Sequence, residues 1–180
     1  DNAGTELVRD LTLVDALLAR GLPVILHAKV HPTFVSDALE SDIHSTIAWL
    51  ATHSAGAALG ARLQAALETG QLRLRSDWYW TSPLAGWELP DPLYDELAMA
   101  GLLISKGDAN YRRWLGDRHW PFDTPLASVL AYAPAPLLLL RTSKSEVAAG
   151  LDPARVAEIA AQDAGWQTSG RWGLIQLVAG

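Results

Sequence analysis

Gly101–Trp120, GLLISKGDANYRRWLGDRHW, decides the reading of the fold. Leu102, Leu103 and Ile104 make an apolar run that reads as a buried strand, Gly101 to Ser105. The chain then turns abruptly polar, with Lys106, Arg112, Arg113 and Arg118 set among Asp108, Asn110 and Asp117. In an α/β protein the carboxyl end of a parallel strand is where ligands bind. A polar cluster there is costly to bury unless its groups pair with each other or with a ligand. The spacing suits a grip on an anion: Gly107 permits close backbone approach, and Asn110 and Arg112 present donors to phosphate oxygens. The structural alternative is an ion-pair network among Asp108, Arg112, Arg113, Asp117 and Arg118, and on composition alone that is the commoner outcome.

Outward from this stretch, apolar strands alternate with helical patterns. Leu7, Leu11, Val14 and Leu18 recur at helical spacing, and Gly21 with Pro23 stops that helix. Strands are predicted over Val24–Val30, Leu72–Ser76, Pro136–Arg141 and Gly173–Val178. Further helices are predicted over Ala38–His53, Ala57–Glu68, Pro92–Ala100, Pro125–Ala131 and Pro153–Asp163. Alternation with apolar strands predicts a three-layer αβα domain around a mostly parallel, Rossmann-like sheet. The length, 180 residues, suits one domain, so residues 1–180 are read as a single α/β domain. The chain opens on Asp1-Asn2-Ala3-Gly4 without Met, directly before a helical pattern. That opening predicts that a first strand, and with it a further domain, precede it.

A net charge of −6 and a pI near 5.2 argue against an electrostatic nucleic-acid binder. There is no cysteine, which excludes disulfides and thiolate chemistry and fits a reducing cytoplasm. No apolar run approaches the ~20 residues of a membrane span, and no signal peptide is visible. The motifs GxGxxG, GxxxxGK[ST], GxSxG and HExxH do not occur. His27, inside a strand, reads as a packed, hydrogen-bonded side chain, and His31 and His119 as weak candidates for proton transfer. The loop carrying Trp78, Tyr79, Trp80 and Trp87 reads mainly as packing.

Four strand exits carry polar clusters: Asp1-Asn2, Ser36-Asp37, the Lys106 segment, and Arg141-Thr142-Ser143-Lys144. In one parallel sheet they would share an edge. Asp1, Asn2 and Asp37 bring hard oxygen donors suited to Mg²⁺ or Mn²⁺. The competing role is helix capping, by Asn2 on the first helix and by Asp37 with Glu40 on the second. Glu6, one turn into the first helix, is near enough to touch the same site, or equally serves as a first-turn acid favoured by the helix dipole.

Five segments together resemble the metal-dependent damage-control phosphatases: DNAGTELVRDL from Asp1, KVHPTFVSDAL from Lys29, SDWYWTSP from Ser76, KGDANYRRWLGDRHWP from Lys106 and PAPLLLLRTSK from Pro134. The RTSK element resembles the branch with an Arg-Thr-x-Lys signature, also described as protein-glutamate methyltransferase-like. The resemblance spans nearly the whole chain, and only the combination of motifs is specific. It implies that Asp1, Asn2 and Asp37 are the catalytic metal ligands, for Mn²⁺ or Mg²⁺ with Co²⁺ or Ni²⁺ as substitutes. It implies that Lys106, Asp108, Asn110, Tyr111, Arg112 and Lys144 hold a phosphorylated substrate, with Glu6 beside the metal. Ala109 departs from the family, where Leu is common, a change of packing more than of chemistry.

The implied activity is hydrolysis of small phosphorylated metabolites, such as fructose 1-phosphate or fructose 6-phosphate. Water or a carboxylate such as Asp1 can be the attacking group on this reading. The competing activities are S-adenosylmethionine-dependent carboxyl methyl transfer and non-catalytic sensing of a sugar phosphate. The implied partners are the metabolite and the preceding region of the same protein, with no nucleic acid and no membrane.

Overall fold

The computed structural model describes residues 2–179. The chain divides between Ser82 and Pro83 into two compact units. The first contains helix α1 (Thr5–Leu18), strand β1 (Val24–Ala28), helices α2 (Glu40–Thr52) and α3 (Ala57–Glu68), and strand β2 (Leu72–Ser76). Leu7, Leu11 and Val14 lie on one stripe of α1, and Ile43, Ile47 and Leu50 on one stripe of α2. These stripes meet Leu63, Ala66 and Leu72 in one buried core. β1 and β2 pair in parallel from Val24 with Leu72 to Ala28 with Ser76. The α2–α3 hairpin closes because Gly60 has no side chain: a Cβ there would lie 2.3 Å from the Ala51 nitrogen.

The second unit contains α4 (Asp91–Ala98), β3 (Leu103–Lys106), α5 (Asp108–Trp114), α6 (Leu126–Val129), β4 (Leu137–Thr142), α7 (Pro153–Gln162) and β5 (Gly173–Val178). Its sheet runs in the order β3-β4-β5. β3 and β4 are parallel, with Lys106 opposite Leu140. β5 is antiparallel to β4. Along β4, Leu137, Leu139 and Arg141 alternate inward, and the two leucines join Tyr111, Trp114, Leu115 and Leu130 in a second core.

The protein is therefore mixed α/β, and each of the five strands among the described residues overlaps a predicted one. The described strands form two small sheets rather than the single three-layer sheet that alternation suggests. The direction of β5 also departs from a parallel arrangement. Its burial alternates with period two, Leu174, Gln176 and Val178 inward and Ile175 and Leu177 outward, as suits a one-sided antiparallel edge strand. The polar run after Lys106 is helical, because Gly107 (φ 100°) turns the chain out of β3 directly into α5. Among the described residues no helix is long and apolar enough to cross a membrane.

Candidate functional site

In the first unit the chain brings Asn2 and Asp37 together. They form an isolated antiparallel bridge, and the Ala3 N–H donates to the Ser36 carbonyl at 2.8 Å. The Ser36 hydroxyl donates to Asn2 Oδ1 at 2.7 Å. Glu6 Oε2 accepts both the Asn2 amide Nδ2 at 3.1 Å and the Asn2 backbone N–H at 3.3 Å. Glu6 thus fixes the Asn2 amide with its oxygen turned to Ser36. Asp37 is mostly buried, its side chain 13% exposed. Its Oδ2 accepts Lys29 Nζ at 2.6 Å and the Phe34 N–H at 3.1 Å.

Helix capping does not explain these side chains. Gly4 stands at the N-cap of α1 with no side-chain cap. At α2 the N-cap is Leu39, whose N–H is accepted by Asp42 Oδ2 at 2.9 Å. Asp42 therefore does the work expected of Asp37 and Glu40. Asp1, the remaining predicted ligand, lies outside the described residues. Among the described residues no three His, Cys, Asp or Glu side chains gather tightly enough to hold an ion on their own. The residues that could hold such an ion are Asn2 and Asp37, paired at the backbone, with Glu6 bonded to Asn2; their amide and carboxylate oxygens are hard donors of the kind that suits Mg²⁺ or Mn²⁺.

The loop before Asp37 is strained. The Ser36 N–H donates to the Phe34 carbonyl at 2.6 Å, closing a three-residue turn with Val35 at φ 65°. A β-branched residue in that region is uncommon and costs about 1–2 kcal/mol. Val35 is almost fully exposed, so no packing compensates. Val35→Gly is expected to raise the melting temperature slightly, because relief of the strain outweighs the added unfolded-state entropy of about 0.5–1 kcal/mol. Thermal melts check it, and a lower midpoint contradicts it.

One turn beyond Glu6, the Asp10 carboxyl is pushed up to about 6, first by burial and then by the Glu6 charge. Its ordinary value is 3.8, so the folded state holds the extra proton between the two. Stability from this group falls as pH rises through that window, and the cost is complete above it. Asp10→Asn is expected to raise the melting temperature at pH 7.5 and to lose most of that advantage at pH 4.5. Melts at the two pH values decide it.

In the second unit the exits of β3 and β4 lie side by side, and the Gly107 N–H extends their ladder to the Leu140 carbonyl at 2.9 Å. Lys106 ends β3, and burial holds its ammonium below the usual lysine range. Asn110 donates Nδ2 to the Lys106 carbonyl at 2.9 Å. Arg112 forms a two-pronged pair with Asp117, both bonds at 2.7 Å. That hydrogen-bonded pairing raises the Arg112 value and lowers that of Asp117. Both members are about half exposed, so the pair itself adds little stability. Arg112, Asp117 and His119 line an open cleft of about 390 Å³ with Ser145 and Glu146. Lys144 is exposed, and its ammonium has no partner among the described residues.

Two predicted substrate ligands are already engaged. Tyr111 is 1% exposed, and its hydroxyl donates to Gln176 Oε1 at 2.9 Å. Burial is the main cause of its raised pKa. Asp108 Oδ1 accepts Arg141 Nε at 2.8 Å, the Ser145 hydroxyl at 3.3 Å and the Lys144 N–H at 3.4 Å. Arg141 and Lys29 are the residues that the sequence reading left without a role. Period-two alternation from Leu137 and Leu139 is the signal that places Arg141 on the buried face of its strand. His27 accepts the Trp80 indole N–H at Nδ1, 3.2 Å away, as its place in a strand suggests.

Hard oxygen donors meet in the first unit, at Asn2 and Asp37, and a basic segment lies at two adjacent parallel strand exits in the second. Residues 1–159 match the model of the damage-control phosphatase ARMT1-like domain, and the chain belongs to that family. It is 37% identical to damage-control phosphatase ARMT1 of Mus musculus, 36% to that of Homo sapiens and 35% to that of Danio rerio. Each match covers 98% of this chain and 41–42% of the relative. The chain thus spans less than half the length of these relatives.

Proposed function

We propose that this chain supplies the catalytic residues of a divalent-metal-dependent phosphatase acting on small phosphorylated metabolites, sugar phosphates such as fructose 1-phosphate and fructose 6-phosphate among them. The observation that carries the reading is the pairing of Asn2 with Asp37 across 35 positions of sequence, with neither side chain spent on a helix end. Family membership and the names of the relatives support it.

On this reading Asp1, Asn2 and Asp37 hold Mn²⁺ or Mg²⁺, which when bound supplies Lewis-acid polarisation of a phosphoryl oxygen and acidifies water. Glu6 keeps the Asn2 oxygen in place by accepting from both of that residue's nitrogens, backbone and amide. Lys29 neutralises one oxygen of Asp37 and leaves the other for the ion. Lys144 and Arg112 neutralise charge on the phosphoryl group, Arg112 by exchanging Asp117 for phosphate oxygens in the same two-pronged geometry. Lys106 adds a partly desolvated cation, and Asn110 keeps its amide anchored on the Lys106 carbonyl.

The test is phosphate release by the full-length protein from a panel of sugar phosphates with Mn²⁺, Mg²⁺, Co²⁺, Ni²⁺ or EDTA. Release that needs the ion and is abolished by EDTA supports the reading. Release that persists in EDTA, or methyl transfer from S-adenosylmethionine with no phosphate release, overturns it.

A further inference from the structure

Arg141 is the most enclosed charge in the second unit, its side chain 1% exposed. All three nitrogens of its guanidinium donate. Nε donates to Asp108, Nη2 to the Ser145 carbonyl at 2.6 Å and to the Ser145 hydroxyl at 3.0 Å, and Nη1 to the Val147 carbonyl. Its Cζ lies 4.4 Å from the centre of the Tyr111 ring. Tyr111 in turn is pinned to Gln176 of β5, and Gln176 donates to the Ala149 carbonyl at 2.9 Å. One side chain therefore ties the start of α5 to the loop 143–149, and the backbone of Lys144 hangs between Asp108 and Arg141.

We propose that Arg141 is a positioning residue for anion binding, and that Asp108 is its counter-ion rather than a group that touches substrate. The proposal rests on the reading that Lys144 and its neighbours bind phosphate. A buried guanidinium with several fixed acceptors is held in one orientation, because moving it would strand a charge in the interior. The Lys144 segment inherits that rigidity, so its ammonium starts from a narrow set of positions and loses less freedom on binding an anion. Lysine cannot substitute for this arginine. One ammonium cannot span Asp108, Ser145 and Val147 together, although it preserves the charge.

The test compares full-length wild type with Arg141→Lys, Asp108→Asn and the double variant, using inorganic phosphate and Mn²⁺ as separate calorimetric probes. Arg141→Lys is expected to weaken phosphate about tenfold while Mn²⁺ affinity stays within twofold. Asp108→Asn is expected to weaken phosphate in the same direction, with the double variant no worse than Arg141→Lys alone, as partners in one network are non-additive. Phosphate affinity within twofold of wild type in Arg141→Lys overturns the proposal, as does full additivity, which would give Asp108 a contact of its own. If Arg141→Lys does not fold, Asp108→Asn decides alone: unchanged phosphate affinity overturns the proposal. Lys144→Ala separates the two levels. If it leaves phosphate affinity unchanged, the phosphate-binding reading fails; if it weakens phosphate while Arg141→Lys does not, only the positioning role fails.

Discussion

Asp37→Ala is expected to lower metal-stimulated phosphate release by at least about 100-fold, since electrostatic stabilisation by a held ion contributes several kcal/mol to the barrier. The substitution removes more than one donor oxygen. Asp37 also balances the Lys29 ammonium and accepts the Phe34 N–H, so its loss leaves a half-buried cation beside the site and loosens the loop before it. Asp37→Asn separates the two roles. It keeps an oxygen for Phe34 but gives up the charge, and the account expects a loss nearly as large as with alanine. The measurement is the initial rate of phosphate release over a range of Mn²⁺. A variant that recovers full rate at high Mn²⁺ has only weakened the ion's hold; one with wild-type rate and Mn²⁺ dependence shows that Asp37 is not a ligand.

Gly60→Ala is expected to destabilise the first unit by about 2 kcal/mol or more. The new methyl would sit 2.3 Å from the Ala51 nitrogen, 2.6 Å from its Cα and 2.9 Å from its Cβ. All three belong to the facing helix rather than to the end of a flexible side chain, so α2 and α3 must separate. The better helix propensity of alanine returns only about 1 kcal/mol. Gly101→Ala provides the comparison, with nothing within 4 Å of its Cβ position, and is expected to be neutral or slightly stabilising. Denaturant midpoints for the two variants check the contrast, and equal midpoints contradict it.

Much of the local structure was legible because it follows from periodicity. The stripe Leu7, Leu11, Val14 is the buried face of α1, and LRLRS is β2 over Leu72–Ser76. What one-dimensional patterns do not carry is strand direction, and so β5 could not be assigned as antiparallel. Capping was ambiguous for a related reason. Asp37, Glu40 and Asp42 all lie near the start of α2, and only the position of the first helical residue selects Asp42. The seven residues of α5 were too few and too polar to show a helical period.

The site was legible in unequal parts. Asn2 and Asp37 were nominated as oxygen donors, and the structure brings them together; the sequence could not show that Glu6 and Lys29 each occupy one side of the pair. For the basic segment, charge composition gave no means of separating a solvated residue from a buried one. Arg112 and Asp117 proved to be an exposed pair, whereas Asp108 and Arg141 are an enclosed one. Nor could composition show that Tyr111 is a core residue with a satisfied hydroxyl.

The most direct test of the central claim is a calorimetric titration of the full-length protein with Mn²⁺, without substrate. One ion is expected to bind per chain, with affinity reduced about tenfold or more in Asp37→Ala and in Asn2→Ala, since loss of a residue that merely supports a ligand already costs about that much. Mn²⁺ binding of wild-type strength in both variants, or no binding by the wild type, would contradict it.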